Sequence, residues 1–108
     1  MRMLLKVSIP VEAGNRAAQD GTLGSTLERI LSDLKPEAAY FASENGQRTG
    51  YIVFDLKQTS DIPAVAEPFF LAFNASLEIS PAMTVADLMA AGPGFAAAVK
   101  NYSKAASA

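Results

Sequence analysis

The sequence predicts a single α+β domain in which a four-stranded sheet packs against helices on one face. Four stretches alternate apolar with polar residues, and two longer stretches repeat apolar residues at helical spacing, in the order β-α-β-β-α-β. A chain of 108 residues is long enough to bury roughly two-thirds of its unfolded surface in one core. We expect residues 1–104 to form this domain and residues 105–108 to fray.

The composition excludes several classes of function. The chain has no cysteine and no histidine, which removes disulfides, thiolate metal ligands and the commonest general base. The acidic residues are too scattered along the sequence to form a hard-metal cluster. We therefore expect neither a metal nor a cofactor.

Charge and hydropathy argue against two kinds of partner. A net charge of −2 and a sequence pI near 5.0 give no electrostatic attraction to phosphate backbones or anionic lipid. No segment offers the run of about 20 apolar residues that crosses a bilayer. The expectation is a cytoplasmic protein that binds neither nucleic acid nor membrane.

The first half of the chain predicts one strand and one helix. Alternating apolar residues from Met3 to Ile9 predict the first strand. Gly14 and Asn15 indicate a turn and a helix cap, with Asn15 to Asp20 as a separate turn. A long amphipathic helix then follows from the spacing of Leu23, Leu27, Ile30, Leu31 and Leu34.

The middle of the chain predicts a hairpin. Two apolar, aromatic runs, residues 38–44 and 49–56, flank Asn45-Gly46, which is a strong turn signal. The spacing between these runs predicts a loop longer than two residues.

An aromatic helix is predicted next, capped by Ser60 or Asp61. Its apolar stripe consists of Ile62, Val65, Ala66, Phe69, Phe70 and Phe73. Pro68 lies inside this stripe and is expected to kink or divide the helix. Asn74 is expected to end it or turn the chain.

The last quarter of the chain predicts a strand followed by a helical extension. Residues 75–80 alternate as a fourth strand, and Thr84 with Asp87 forms the pattern of a capping box. We expect the final helix to pack on the domain through Phe95, Val99 and Tyr102.

This element order predicts a ferredoxin-like sandwich with strands in the spatial order 4-1-3-2 and both helices on one face. The residues expected to form the core are Met3, Leu5, Val7, Ile9, Leu27, Ile30, Leu31, Ile52, Phe54, Leu56, Phe69, Phe70, Phe73, Leu77 and Ile79. The opposite face is expected to present Leu4, Lys6, Ser8, Tyr51, Val53, Asp55, Ser76 and Glu78, with either Tyr40 or Phe41. A second copy of the chain would cover a face of such mixed polarity.

The chain resembles the dimeric α+β barrel superfamily, whose sheets pair face to face, and this resemblance rests on the order of elements. Three short segments are more specific and are similar to an uncharacterised bacterial family of about this length. They are Leu34-Lys35-Pro36-Glu37-Ala38-Ala39-Tyr40-Phe41, Ile62-Pro63-Ala64 and Leu71-Ala72-Phe73-Asn74-Ala75. The superfamily resemblance implies a homodimer. It also implies cofactor-free monooxygenases or isomerases as relatives, many of which use a histidine that this chain lacks.

The functional hypotheses depend on the polar and ionisable side chains of the expected outer face. Lys6, Tyr40, Tyr51, Asp55 and Glu78 are candidate ligand-binding residues, and Tyr51, Asp55 and Glu78 are catalytic candidates if burial shifts their pKa values. In the structural alternative, Lys6 pairs with Glu78 across neighbouring strands and the tyrosines pack at an interface.

Three functions therefore stay open. The first is a homodimer that binds a small, partly apolar molecule between sheet and helices or between subunits. The second is a histidine-free, cofactor-independent isomerase or monooxygenase, and the third is an interaction module without a ligand. RNA binding is disfavoured, because Arg48 to Phe54 matches the third-strand motif of RNA-recognition domains poorly and the first strand has no stacking aromatic.

Overall fold

A computed structural model describes residues 1–104; the expected fraying of residues 105–108 lies outside them. The strands are β1 (Arg2–Ile9), β2 (Ala38–Glu44), β3 (Gln47–Asp55) and β4 (Ser76–Pro81). The helices are α1 (Val11–Asp20), α2 (Leu23–Leu34), α3 (Ile62–Phe73), α4 (Val85–Ala90) and α5 (Gly92–Tyr102), and one 3-10 turn, Thr59–Asp61, precedes α3.

The four strands form one antiparallel sheet in the order β2-β3-β1-β4. This is the predicted ferredoxin-like order, and β1 is a central strand. Its alternation decides the two faces of the sheet, because successive side chains point to opposite sides. Met3, Leu5, Val7 and Ile9 are all buried, whereas Leu4 is 41% exposed.

The core lies between the inner sheet face and helices α1 to α3. Leu5, Ile52, Phe54, Phe69 and Phe73 are almost completely buried there. Leu23, Leu27, Leu31 and Val65 pack against this cluster from the helices. Phe70 was expected in the core but is 43% exposed, since the chain supplies more aromatic side chains on α3 than the sheet can cover.

The predicted turn at Gly14 and Asn15 is wrong, because both residues lie inside helix α1. Two helices connect β1 to β2, and the break between them comes at Gly21, whose φ of 76° ends α1. Gly14 is buried in α1, so its poor helix propensity is overridden by a packing requirement.

The predicted long hairpin loop is also wrong. Glu44 pairs with Gln47, so Asn45 and Gly46 form a two-residue turn with φ values of 53° and 72°. Positive φ at both central residues matches the twist of the paired strands. The ends of β2 and β3 consist of polar residues, so their sequence resembles that of a loop.

Pro68 does not divide α3, which continues through it to Phe73. Asn74 ends the helix with a left-handed conformation at φ 52°, as predicted. The capping box of α4 is confirmed: the Asp87 amide donates to Thr84 Oγ1 at 3.1 Å, and the Thr84 amide donates to Asp87 Oδ2 at 2.9 Å.

The expected packing of the final helix is wrong for the single chain. Neither α4 nor α5 contains a buried residue, and Phe95, Val99 and Tyr102 are 59%, 61% and 87% exposed. Residues 82–104, which we term the C-terminal arm, follow the edge strand β4. The chain consequently measures 64 × 29 × 22 Å.

Replacing Gly46 should destabilise the protein through the hairpin turn. We expect Gly46→Ala to lower the free energy of unfolding by about 1 kcal/mol, because a Cβ disfavours its left-handed backbone. Urea unfolding followed by circular dichroism measures this change. Gly24→Ala, within α2 and without steric obstruction, is the control and should be neutral or stabilising by up to about 1 kcal/mol.

Candidate functional site

One row of side chains crosses the outer face of the whole sheet. The register pairs Tyr40 with Tyr51, Tyr51 with Lys6, and Lys6 with Glu78. Four of the five candidate residues are therefore neighbours on one face. The register also decides the alternative in β2, because Tyr40 lies on the outer face and Phe41 on the inner one.

Lys6, a member of this row, forms an ion pair with Glu44, which lies on the same face nearer the hairpin turn. Lys6 Nζ lies 2.7 Å from Glu44 Oε2 and 3.8 Å from Glu78 Oε2, so the expected cross-strand pair with Glu78 is the weaker of the two. Glu44 Oε2 is shielded from solvent without a well-directed hydrogen bond. The Lys6 ammonium is thus the charge that balances it.

The groups in this cluster stabilise one another's ordinary protonation states. Contact with Lys6, and then with Tyr51, lowers the pKa of Glu44, while Glu44 raises the pKa of Lys6 and of Tyr51. All three pKa values move away from neutrality. General acid-base catalysis needs the opposite displacement, so this arrangement has the electrostatics of a structural ion-pair cluster.

Glu44 was missed among the candidate residues, although the sequence contains the signal that identifies it. Side-chain alternation along residues 38–44 places Tyr40 and Glu44 on the same face of β2, and a two-residue turn at Asn45-Gly46 fixes how that face pairs with β3. Expecting a longer loop left that pairing undetermined.

Asp55 is separated from the other candidates. It lies four residues beyond Tyr51 on the same face of β3, about 13 Å away at ~3.3 Å per residue. Asp55 Oδ2 accepts from Lys57 Nζ and Oδ1 accepts from the Met1 α-amino group, each at 2.7 Å. These contacts, that with Lys57 first, lower the pKa of Asp55 from 3.8 to about 2.

A cleft of about 660 Å³ opens between the β2-β3 hairpin and helices α1 and α2. We term it the hairpin cleft. Its apolar lining includes Val7, Ile9, Leu23, Leu27, Phe41 and Phe69, and its polar members are Asn15, Ser43, Gln47, Arg48 and Thr49. It lies on the helical side of the sheet, away from the Lys6 row, and was not located from the sequence.

Arg48 lies against α1 at the hairpin cleft because Gly14 leaves it room. A Cβ at position 14 would lie 2.5 Å from Arg48 Nη1. Arg48 Nη2 donates to Asn15 Oδ1 at 3.2 Å. Among residues 1–104, Arg48 has no carboxylate as an ion-pair partner.

A second cleft, of about 740 Å³, lies between α2 and α3 beside Pro68. We term it the proline cleft. Ile30, Leu34, Val65 and Leu71 contribute apolar surface, while Arg29, Asp33, Asp55, Lys57 and Asp61 contribute charges of both signs. The space beside Pro68 is therefore open.

Two other kinds of site find no support in the described part of the chain. Within residues 1–104, acidic side chains do not gather in a group of three or more that could hold a metal ion. No helix in that range has the length and apolar character needed to cross a membrane.

Removing the Glu44 carboxylate should lower the pKa of Tyr51. With Tyr40→Phe and Tyr102→Phe in place, Tyr51 is the last of three tyrosines, and its ionisation can be followed by tyrosinate absorbance. We expect Glu44→Gln to shift that titration to lower pH, because Glu44 is the largest cause of the raised pKa. Glu78→Gln is the matched control, and an equal shift there would contradict the assignment.

Asp55 should make stability depend on acid pH. Its pKa is lower in the folded chain, so its ion pairs stabilise the fold above pH 3.8, and this contribution is lost as pH falls towards about 2. We expect the difference in free energy of unfolding between wild type and Asp55→Asn to shrink across that window. In a Lys57→Met background the difference should be smaller throughout; a difference independent of pH would contradict this explanation.

Comparisons with known proteins show a likeness to one part of a larger enzyme. A crystal structure of a formyltetrahydrofolate deformylase from Pseudomonas putida KT2440 superposes with a TM-score of 0.49 and 12% identity over 76% of this chain. The match spans 29% of that enzyme. No protein-family profile and no curated protein matches the sequence.

Proposed function

We propose that this protein binds a small, partly apolar molecule that carries one anionic group, and that the hairpin cleft is its binding site. The observation that supports this function is the position of Arg48 at this cleft, where the other lining residues are uncharged. A volume of about 660 Å³ falls within the range of small-molecule sites.

The charges favour the hairpin cleft over the proline cleft. The proline cleft is lined by both acidic and basic groups, and two of them, Asp55 and Lys57, already neutralise each other at 2.7 Å. Within residues 1–104, the side-chain partner of Arg48 is the amide oxygen of Asn15. A carboxylate could accept from the remaining guanidinium N–H groups in the paired geometry that arginine favours.

The apolar lining defines the other half of the ligand. Leu23, Leu27 and Phe41 line the cleft beside the buried side chains of Val7 and Phe69. They suit an aliphatic or aromatic body, whereas Arg48 suits its acidic end. The ligand class is therefore an amphipathic carboxylate, and binding rather than catalysis is the proposed role.

We also propose that the chain assembles as a homodimer in which the partner covers its outer sheet face. Leu4 is 41% and Tyr40 73% exposed on that face, and the Lys6–Glu44 ion pair on the same face is partly exposed. Covering this face would exclude water from the cluster. A stable monomer in light scattering at micromolar concentration would contradict this assembly.

The ligand proposal predicts that Arg48 makes the protein bind an anionic ligand more tightly than a neutral ligand with the same apolar chain. Octanoate and 1-octanol have the same apolar chain and differ at the head group, and titrations followed by NMR amide shifts give both dissociation constants. We expect the wild type to prefer octanoate and Arg48→Met to weaken it by about tenfold, the value of one charge-assisted hydrogen bond. Binding of 1-octanol should change less than twofold.

Arg29→Met provides the matched control, because it makes the same substitution at the proline cleft. It should leave both dissociation constants unchanged. If Arg29→Met weakens octanoate as much as Arg48→Met does, or if the shifted amides surround α3 and Pro68, the assignment to the hairpin cleft is wrong.

A further inference from the structure

The C-terminal arm presents an apolar surface that its own domain does not cover. Its large exposed side chains are Met83, Val85, Leu88, Met89, Phe95, Val99 and Tyr102. The radius of gyration is 18.6 Å, whereas a compact chain of this length has about 13 Å. The difference reflects a segment that extends away from the core.

The exposed residues of the arm form helical stripes. Phe95, Val99 and Tyr102 repeat at i, i+4 and i+7 along α5, and Val85, Leu88 and Met89 repeat at i, i+3 and i+4 along α4. Apolar stripes with this spacing are the packing faces of helices. An isolated helix of 11 residues is only marginally stable in water, so α5 requires a packing surface.

The start of the arm is held by hydrogen bonds to β1 and within its own first helix. The Ala82 amide donates to the Arg2 carbonyl at 3.0 Å, which extends the β1-β4 pairing by one bond. The capping box between Thr84 and Asp87 then sets the entry into α4. The chain's own inner sheet face is already occupied by α1 to α3, and within the described residues the main packing partner of α5 is α4.

We propose that the C-terminal arm docks on the outer sheet face of a second copy of this chain, with the two arms exchanged about a two-fold axis. This inference rests on the homodimer proposed above and names the element that holds it together; it is independent of the hairpin cleft. The two-fold axis places each arm on the outer sheet face of its partner, so both arms are packed and both outer faces are covered.

The expected buried area and the charges of the two surfaces are consistent with docking of the arm on a second copy of the chain. Seven arm side chains that each hide about 100 Å² would bury roughly 700 Å² per chain, close to the ~800 Å² per partner of a specific interface. The arm carries Asp87, Lys100 and Lys104, a net charge of +1. The outer face carries Arg2 and Lys6 with Glu44, Asp55 and Glu78, a net charge of −1, and the Glu78 side chain is 79% exposed.

The length of the arm also fits. Helix α5 has 11 residues and so extends about 16 Å at ~1.5 Å per residue. Four strands at ~4.8 Å spacing span about 14 Å between the outermost axes. A single α5 can therefore cross the complete outer face of its partner, over the row that contains Tyr51 and Lys6.

The test is sedimentation equilibrium of the full chain and two matched variants. Val99→Asp places a charge on the arm stripe, and Leu71→Asp places one on α3, where Leu71 is 83% exposed. We expect Val99→Asp to raise the dimer dissociation constant at least a hundredfold, with a loss of helical circular dichroism no larger than the 11 residues of α5 account for, while Leu71→Asp leaves the constant within twofold.

The docking surface is identified by isotope-filtered NOEs in a mixture of labelled and unlabelled chains. We expect contacts between the chains from Phe95 or Val99 to Val53 or Leu4. A dimer that resists Val99→Asp, or whose interchain NOEs exclude the arm, overturns arm exchange and leaves the homodimer standing. A monomeric wild type overturns both proposals without affecting octanoate binding at the hairpin cleft.

Discussion

The position of β1 at the centre of the sheet is the constraint on which the rest of the structure depends. Its eight residues pair with β3 on one side and β4 on the other, so its alternation is imposed on both neighbours. Leu5 and Val7 face the helices, and Lys6 between them faces outwards. A slip of one residue would exchange these faces, which the buried position of Leu5 makes prohibitively unfavourable.

The same alternation creates two regions of different chemistry. On the inner face, apolar side chains meet helices α1 to α3, and the incomplete closure at the hairpin end leaves a cleft beside Arg48. On the outer face, Lys6 and Glu44 form a cluster whose pKa shifts stabilise the ion pair. We propose a binding role for the first region and an assembly role for the second.

The core and the strand order were predictable because they depend on periodicity alone. Met3 to Ile9, with Ile52, Phe54, Phe69 and Phe73, could be assigned from spacing. The hairpin cleft could not, because it depends on Gly14 accommodating a side chain from a strand 34 residues later in the sequence. The C-terminal arm was misjudged for a related reason: an apolar stripe predicts that a surface is covered, but not which chain covers it.

Pro68 has a consequence for the backbone of α3. Proline has no amide hydrogen, so the carbonyl of Ala64, four residues earlier in α3, has no partner in the helical ladder. A buried carbonyl without a partner would cost free energy, but Ala64 is exposed and lines the open proline cleft. Solvent in that space can hydrogen-bond the carbonyl, so α3 can retain a proline without a buried, unpartnered backbone group.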